Sequence, residues 1–220
     1  MLDELQRAFL RYFLETGLSR QFYVTGGTAL AEVYLHHRRS FDLDFFTPEP
    51  FDYEEIIRLM GAFARANSLK EPQFEKKYDR RMFFLTNGVQ LKVEFVRFEH
   101  PQLEERTVWP GFGIAVDSLR DMTANKTLAL IDRQEPKDAV DLYYIMRRLD
   151  LSLDDVLELL KNKFGVMYQR FSLAADFASA SQGLHALTPH LTAADPRAET
   201  QIIISYFKEL AERENPFRAA

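Results

Sequence analysis

Residues 26–47, GGTALAEVYLHHRRSFDLDFFT, decide how this chain is read. Two glycines open a short helix, and one loop later an Asp-Leu-Asp lies within an apolar strand over residues 41–46. Side chains alternate along a strand, so Asp42 and Asp44 are expected on one face and Phe41, Leu43 and Phe45 on the other. Neighbouring carboxylates repel and lose hydration, so a strand core avoids such a pair unless a cation offsets it. Oxygen-only donors suit Mg²⁺, which keeps waters and bridges protein carboxylates to substrate phosphates. Gly26 and Gly27 supply the other half of such a site. Backbone without Cβ lets N–H groups approach a phosphate at a helix N-terminus, and Thr28 is expected to cap that helix.

Gly26-Gly27 followed by the acid-x-acid strand is joined by Thr28, Leu30, Tyr34, Leu35, His37, Arg38, Ser40 and Phe45-Phe46. Together these residues resemble the AbiEii/AbiGii toxin family of nucleotidyltransferases, within the polymerase-β-like superfamily. The resemblance implies an α+β fold: a mixed sheet with flanking helices, followed by a helical C-terminal domain. It also implies Mg²⁺-dependent transfer from an NTP, with Asp42 and Asp44 as metal ligands and Gly26, Gly27, Thr28, Arg38 and Ser40 toward the nucleotide. The implied biology is a toxin of a type IV-like toxin–antitoxin or phage-defence pair, with an RNA acceptor such as the 3′ end of tRNA and a cognate antitoxin partner.

Three further residues take candidate roles from this resemblance. The third acid of the metal site should come from a strand beside Asp42 and Asp44, and Glu94 in residues 90–97, QLKVEFVR, is best placed. The ordinary alternative is an exposed glutamate sharing a face with Lys92. Lys126, in the helical run DSLRDMTANKTLALIDR, matches a family lysine that binds nucleotide phosphates; its ammonium would offset charge on the leaving pyrophosphate. Asp138, in PKDAVDL, faces the same way as Asp141 on a helix and is expected to position Lys126 or the nucleophile. Acids in a first turn also simply complement the helix dipole.

A chain of 220 residues with 46% apolar residues and 19 phenylalanines can bury a substantial core, in one large domain or two small ones. No cysteine is present, which excludes disulfides and thiolate metal sites and fits a reducing compartment. The N-terminal MLDELQRAFLRYFLE reads as an amphipathic helix rather than a signal, and no apolar run is long enough to cross a bilayer, so a cytoplasmic protein is expected. A net charge of −5 argues against indiscriminate nucleic-acid coating. Local cations at Arg38-Arg39, Lys76-Lys77 and Arg80-Arg81 still leave room for an RNA acceptor.

Periodicity predicts helices over residues 3–16, 28–36 and 53–67, and strands over 22–25, 41–47, 74–78, 82–86 and 89–98, with Asn87-Gly88 as a hairpin turn. After Pro110-Gly111 the pattern turns helical, over 118–133, 137–148, 153–163 and 200–214. A catalytic domain over 1–115 and a helical domain over 116–220 are therefore expected. Two rival functions share the fold: transfer of AMP to a protein hydroxyl, and a catalytically silent binding protein. Intact Gly-Gly and Asp-x-Asp motifs weigh against the silent form.

Overall fold

The structure, a computed structural model, describes residues 2–86 and 90–216; the expected Asn87-Gly88 turn lies outside the described residues. The chain divides into two compact units. The first comprises residues 1–34, 40–100 and 105–117, and the second residues 35–39, 101–104 and 118–220.

The first unit opens with α1 (Glu4–Leu14), started by a capping box in which Asp3 and Gln6 satisfy each other's backbone N–H groups. Its Phe9, Leu10 and Phe13 are fully buried. Then follow β1 (Tyr23–Thr25), α2 (Gly26–Ala29, wound on as a π-helical stretch through Leu30–Leu35) and β2 (Asp42–Thr47). Next come α3 (Tyr53–Ala66, capped by Asp52), β3 (Gln73–Lys77), β4 (Arg80–Thr86), β5 (Gln90–Arg97), β6 (Thr107–Val108) and β7 (Ala115–Val116). The seven strands form one mixed sheet in the order β3-β4-β5-β2-β1-β7-β6. β2 lies between β5, to which it is parallel, and β1, to which it is antiparallel.

Alternation along β2 separates two surfaces. Leu43 and Phe45 are buried, and Phe45 joins Phe13 and Phe95 with ring centroids 4.5 and 5.2 Å away. Phe41 departs from the expected pattern: it precedes the strand and stays half-exposed. The stretch after Pro110 departs as well, because Ala115–Val116 pairs with Val24 of β1. Two-residue strands are too short to show a period of two.

The second unit contains α4 (Leu119–Arg133), α5 (Pro136–Leu149), α6 (Leu153–Phe164), α7 (Arg170–Ser181), a 3₁₀ stretch (Gln182–His190) and α8 (Pro196–Glu214). Ser118 and Ser152 cap α4 and α6 through their side chains. The core gathers Leu130, Val140, Tyr143, Phe177 and Phe207, the last two stacked at 4.6 Å. Residues 170–190 are the helical part that periodicity did not foresee. α7 is rich in Ala and Ser and carries only a weak apolar stripe.

Candidate active site

Register builds the acidic centre of the first unit. Thr25 pairs with Asp44 across β1 and β2, and Asp44 pairs with Glu94 across β2 and β5. The residue after Thr25 is Gly26, which starts α2 with φ +76°. Its Cα lies directly against the Asp44 carboxylate. A Cβ here would overlap Asp44 Oδ2 and stand 2.7 Å from Cγ, so only glycine fits beside this acid. Gly27 follows within the first turn of α2.

Thr28 is not the cap that the sequence suggests. Thr25 occupies that position and donates its hydroxyl to Asp117 at 3.1 Å, whereas Thr28 is buried inside the helix. The Thr28 hydroxyl donates to the Asp42 carbonyl and ties the glycine helix to the acidic strand.

Asp42 and Asp44 are half-buried on one face of β2. Two oxygen donors of this kind suit a hard divalent cation whose remaining ligands are waters and substrate phosphates. Glu94, the third acid expected here, stands beside Asp44 by register. Its carboxylate is buried, accepting from Arg80 Nη1 at 3.0 Å and Lys92 Nζ at 3.1 Å. Among the described residues no group of three His, Cys, Asp or Glu gathers to hold a metal ion. Lys92 faces all three acids, with Nζ also 3.7 Å from Asp42. Partial burial works against its charge, but Glu94, Asp42 and Asp44 outweigh that and hold its pKa above the usual lysine value. The shared face of Lys92 and Glu94 was legible in the alternation of residues 90–97. That β5 would bring Lys92 opposite Asp42 was not, since strand pairing is invisible to a local pattern.

The remaining candidates cluster in the second unit. Lys126 Nζ donates to Asp141 at 2.7 Å and Asp138 at 3.0 Å, both acids being fully buried on α5. Burial opposes the Lys126 ammonium, yet the two carboxylates raise its pKa above the ordinary value. Asp138 also accepts from Arg133, at 2.8 Å from Nε and 2.7 Å from Nη2.

Asp141 is the hub. It receives Arg38 through Nε at 2.7 Å and Nη2 at 2.8 Å, and His37 Nε2 at 2.7 Å. Burial alone would raise its pKa, but Arg38 and Lys126 hold the carboxyl well below the usual range. Burial, helped by the nearby Arg38 and Lys126 cations, lowers the His37 pKa despite Asp141, so the ring is neutral near pH 7. An ionised Asp141 can only accept, which places the His37 proton on Nε2. Arg38 is thus a buried, bidentate partner of Asp141 rather than an open phosphate fork. Ser40, in the first unit, is half-buried and its carbonyl accepts from Gln6 Nε2 at 3.2 Å. Sequence reasoning passed over Asp141 as a centre and His37 as its partner; the signal was the His-Arg pair followed, a hundred residues on, by two acids three apart.

The structure therefore joins Gly26, Gly27, Thr28, Asp42, Asp44 and Glu94 in one unit, and Arg38, Lys126 and Asp138 in the other. No helix of the described residues is long and apolar enough to cross a membrane.

The fold is similar to that of MenT4, the nucleotidyltransferase toxin Rv2826c from Mycobacterium tuberculosis H37Rv. The TM-score is 0.61 at 17% identity, covering 96% of this chain and 83% of that one. JHP933 from Helicobacter pylori superposes with a TM-score of 0.54 at 18% identity, over 97% and 95% of the two chains. In sequence, the uncharacterized protein aq_aa25 of Aquifex aeolicus (strain VF5) is 33% identical over 165 residues, spanning 74% of this chain and 76% of that protein. Residues 8–216 match the family described as nucleotidyl transferase AbiEii toxin, type IV toxin–antitoxin system. With its glycine turn closed on an acid-x-acid strand and that match over nearly its whole length, the chain belongs to the AbiEii toxin family and is a nucleotidyltransferase.

Proposed function

We propose that the protein transfers a nucleotide from an NTP to the 3′-hydroxyl of an RNA, with tRNA as the favoured acceptor, in a Mg²⁺-dependent reaction in the cytoplasm that a cognate antitoxin opposes. The observation that carries this reading is the Gly26 backbone fitted against Asp44, with Asp42 beside it on the same strand face. Asp42 and Asp44 are the residues that would hold Mg²⁺. The ion, when bound, supplies Lewis-acid neutralisation of the triphosphate and of the attacking oxygen. MenT4, a nucleotidyltransferase toxin, adds support through its shared fold.

The chain's own residues do the rest. First-turn N–H groups of α2 have no partner within the helix, so those of Gly27 and Thr28 are suited to donate to triphosphate oxygens. Lys92 balances the acids while the substrate is absent, held in place by Glu94, which also pairs with Arg80. A lysine ammonium has three donors, and Lys126 commits two of them to Asp138 and Asp141. The third is what Lys126 offers a phosphate oxygen, with Asp138 and Asp141 as its positioning partners and Arg38 holding Asp141 in turn. In the reaction the 3′-oxygen bonds to the α-phosphorus, the bond to pyrophosphate breaks, and the hydroxyl proton leaves to water. The catalytic residues Asp42 and Asp44 belong to the expected 1–115 domain, and Lys126 to the 116–220 helical domain.

α-Labelled NTPs, supplied with Mg²⁺ and either total RNA or total protein, test the reading. Label is expected in RNA with wild type and in neither fraction with Asp42→Ala or Asp44→Ala. Label appearing in protein alone would replace the RNA acceptor with a protein hydroxyl.

A further inference from the structure

The β3–β4 hairpin ends in an arrangement that nothing in the chain's own packing requires. Residues 76–81, KKYDRR, carry four cations against one carboxylate in a chain whose net charge is −5. Lys77 pairs with Arg80, so Tyr78 and Asp79 form a two-residue turn. Tyr78 occupies its first position with φ +53°, in the left-handed region that tight hairpins normally fill with glycine or asparagine. Its side chain is 85% exposed, the most open of the large apolar residues among those described. A bulky aromatic held in a disfavoured backbone conformation, with no core to bury it, costs stability without a structural return. Arg81 fixes that conformation: its Nη1 donates to the Tyr78 carbonyl at 2.7 Å, and its guanidinium lies 5.0 Å above the Tyr53 ring.

The hairpin also continues the acidic face. Register places Lys77 opposite Arg80 and Arg80 opposite Val96, two residues along β5 from Glu94. Alternation then puts Lys77 and Arg80 on the same sheet face as Glu94, Asp44 and Asp42. Arg80 makes the link physical through its 3.0 Å pairing with Glu94. A polyanion gripped at the hairpin tip would thus run onto the face that bears Asp42 and Asp44.

We propose that the β3–β4 hairpin is the grip for the acceptor strand: Tyr78 stacks on an unpaired base while Lys77 and Arg80 contact the flanking phosphates. Cations tracking the backbone beside an exposed aromatic platform are the means by which single-stranded nucleic acid is held without sequence reading. The inference rests on the RNA-acceptor reading and adds to it the surface and the single-stranded character of the bound segment.

Fluorescence anisotropy with a short single-stranded RNA, alongside NTP binding and thermal melts, tests it. Tyr78→Ala and Tyr78→Gly are expected to weaken RNA binding about tenfold, Tyr78→Phe to keep it, and Lys77→Glu to weaken it with a shallower salt dependence. NTP affinity should be unchanged throughout. Because glycine suits the left-handed position, Tyr78→Gly should melt at or above the wild-type temperature, so its loss of RNA affinity cannot be a loss of fold. Wild-type RNA affinity in both Tyr78→Ala and Tyr78→Gly would overturn the hairpin inference and leave the RNA-acceptor reading standing. A wild-type protein that binds no RNA and labels none would overturn the acceptor reading, and the hairpin inference with it.

Discussion

Gly26 and Asp44 occupy one small space, and that sharing yields a measurable coupling. Gly26→Ala places a Cβ onto the Asp44 carboxylate and forces alanine to φ +76°. The left-handed backbone alone costs about 1–3 kcal/mol, and the overlap adds to it. Asp44→Ala removes the obstructing carboxylate, so the Gly26→Ala penalty should shrink toward the backbone cost when the two changes are combined. Urea melts of the two single variants and the double variant measure this coupling; strictly additive losses would mean that the carboxylate moves aside freely. Transfer activity should vanish in all three, while Asp44→Ala alone melts close to wild type, relief of the repulsion from Asp42 being offset by the lost attraction to Lys92. The sequence showed that glycine was needed here for a close approach. Which group makes that approach follows from Thr25 standing opposite Asp44, a pairing of strands that no local pattern records.

At the scale of elements, Asp141 anchors residues 37–38 to α5 and meets Lys126 of α4. Replacing it with asparagine leaves Arg38 and Lys126 buried with Asp138 as the remaining acid of the cluster. Uncompensated buried charge of this kind costs about 3–5 kcal/mol, so Asp141→Asn should lower the denaturation midpoint steeply at pH 7. The pH dependence has a definite sign. The folded Asp141 carboxyl titrates well below its unfolded value, so its stabilisation is complete above about pH 4 and is lost as pH falls through the folded value. Lys126 behaves oppositely: its pKa is raised, so its contribution is complete below about pH 10 and fades as pH rises through the folded value. Denaturant melts between pH 7 and pH 2 should show a steeper acid-side loss in wild type than in Asp141→Asn, which keeps the other acids with lowered pKa such as Asp121. Parallel curves for the two proteins would remove Asp141 from the account. The helices carrying this network were legible from apolar periodicity, capping residues and Pro136. Their shared hub was not, because four polar groups drawn from three segments leave no periodic mark.

For the whole molecule, the net charge of −5 would suggest indifference to RNA, yet distribution outweighs the total. Arg38 is buried on Asp141, whereas Lys76, Lys77 and Arg80 of the β3–β4 hairpin are exposed, Arg80 with one guanidinium nitrogen on Glu94. About two to four phosphate contacts are therefore expected, and a log–log salt slope of about −1.4 to −2.8 for a single-stranded RNA. Anisotropy titrations across a range of KCl concentrations measure it. A flat response would detach RNA binding from these cations altogether.

The α+β class, the glycine turn, the acid-x-acid strand and most helices were set by the chain's local order, because apolar periodicity, caps and turn residues act over a few neighbours. The tertiary structure alone decided what those elements do to one another. It turned Glu94 toward Lys92 and Arg80, committed Arg38 to Asp141, gave Thr28 to the Asp42 carbonyl, and set β7 beside β1. Each of these partners lies from about a dozen to a hundred residues away in the chain, except Lys92, whose place opposite Asp42 is itself a matter of strand register. Such pairings are chosen by how buried faces pack and how buried charges find counter-charges, and neither choice is written into any single stretch of sequence.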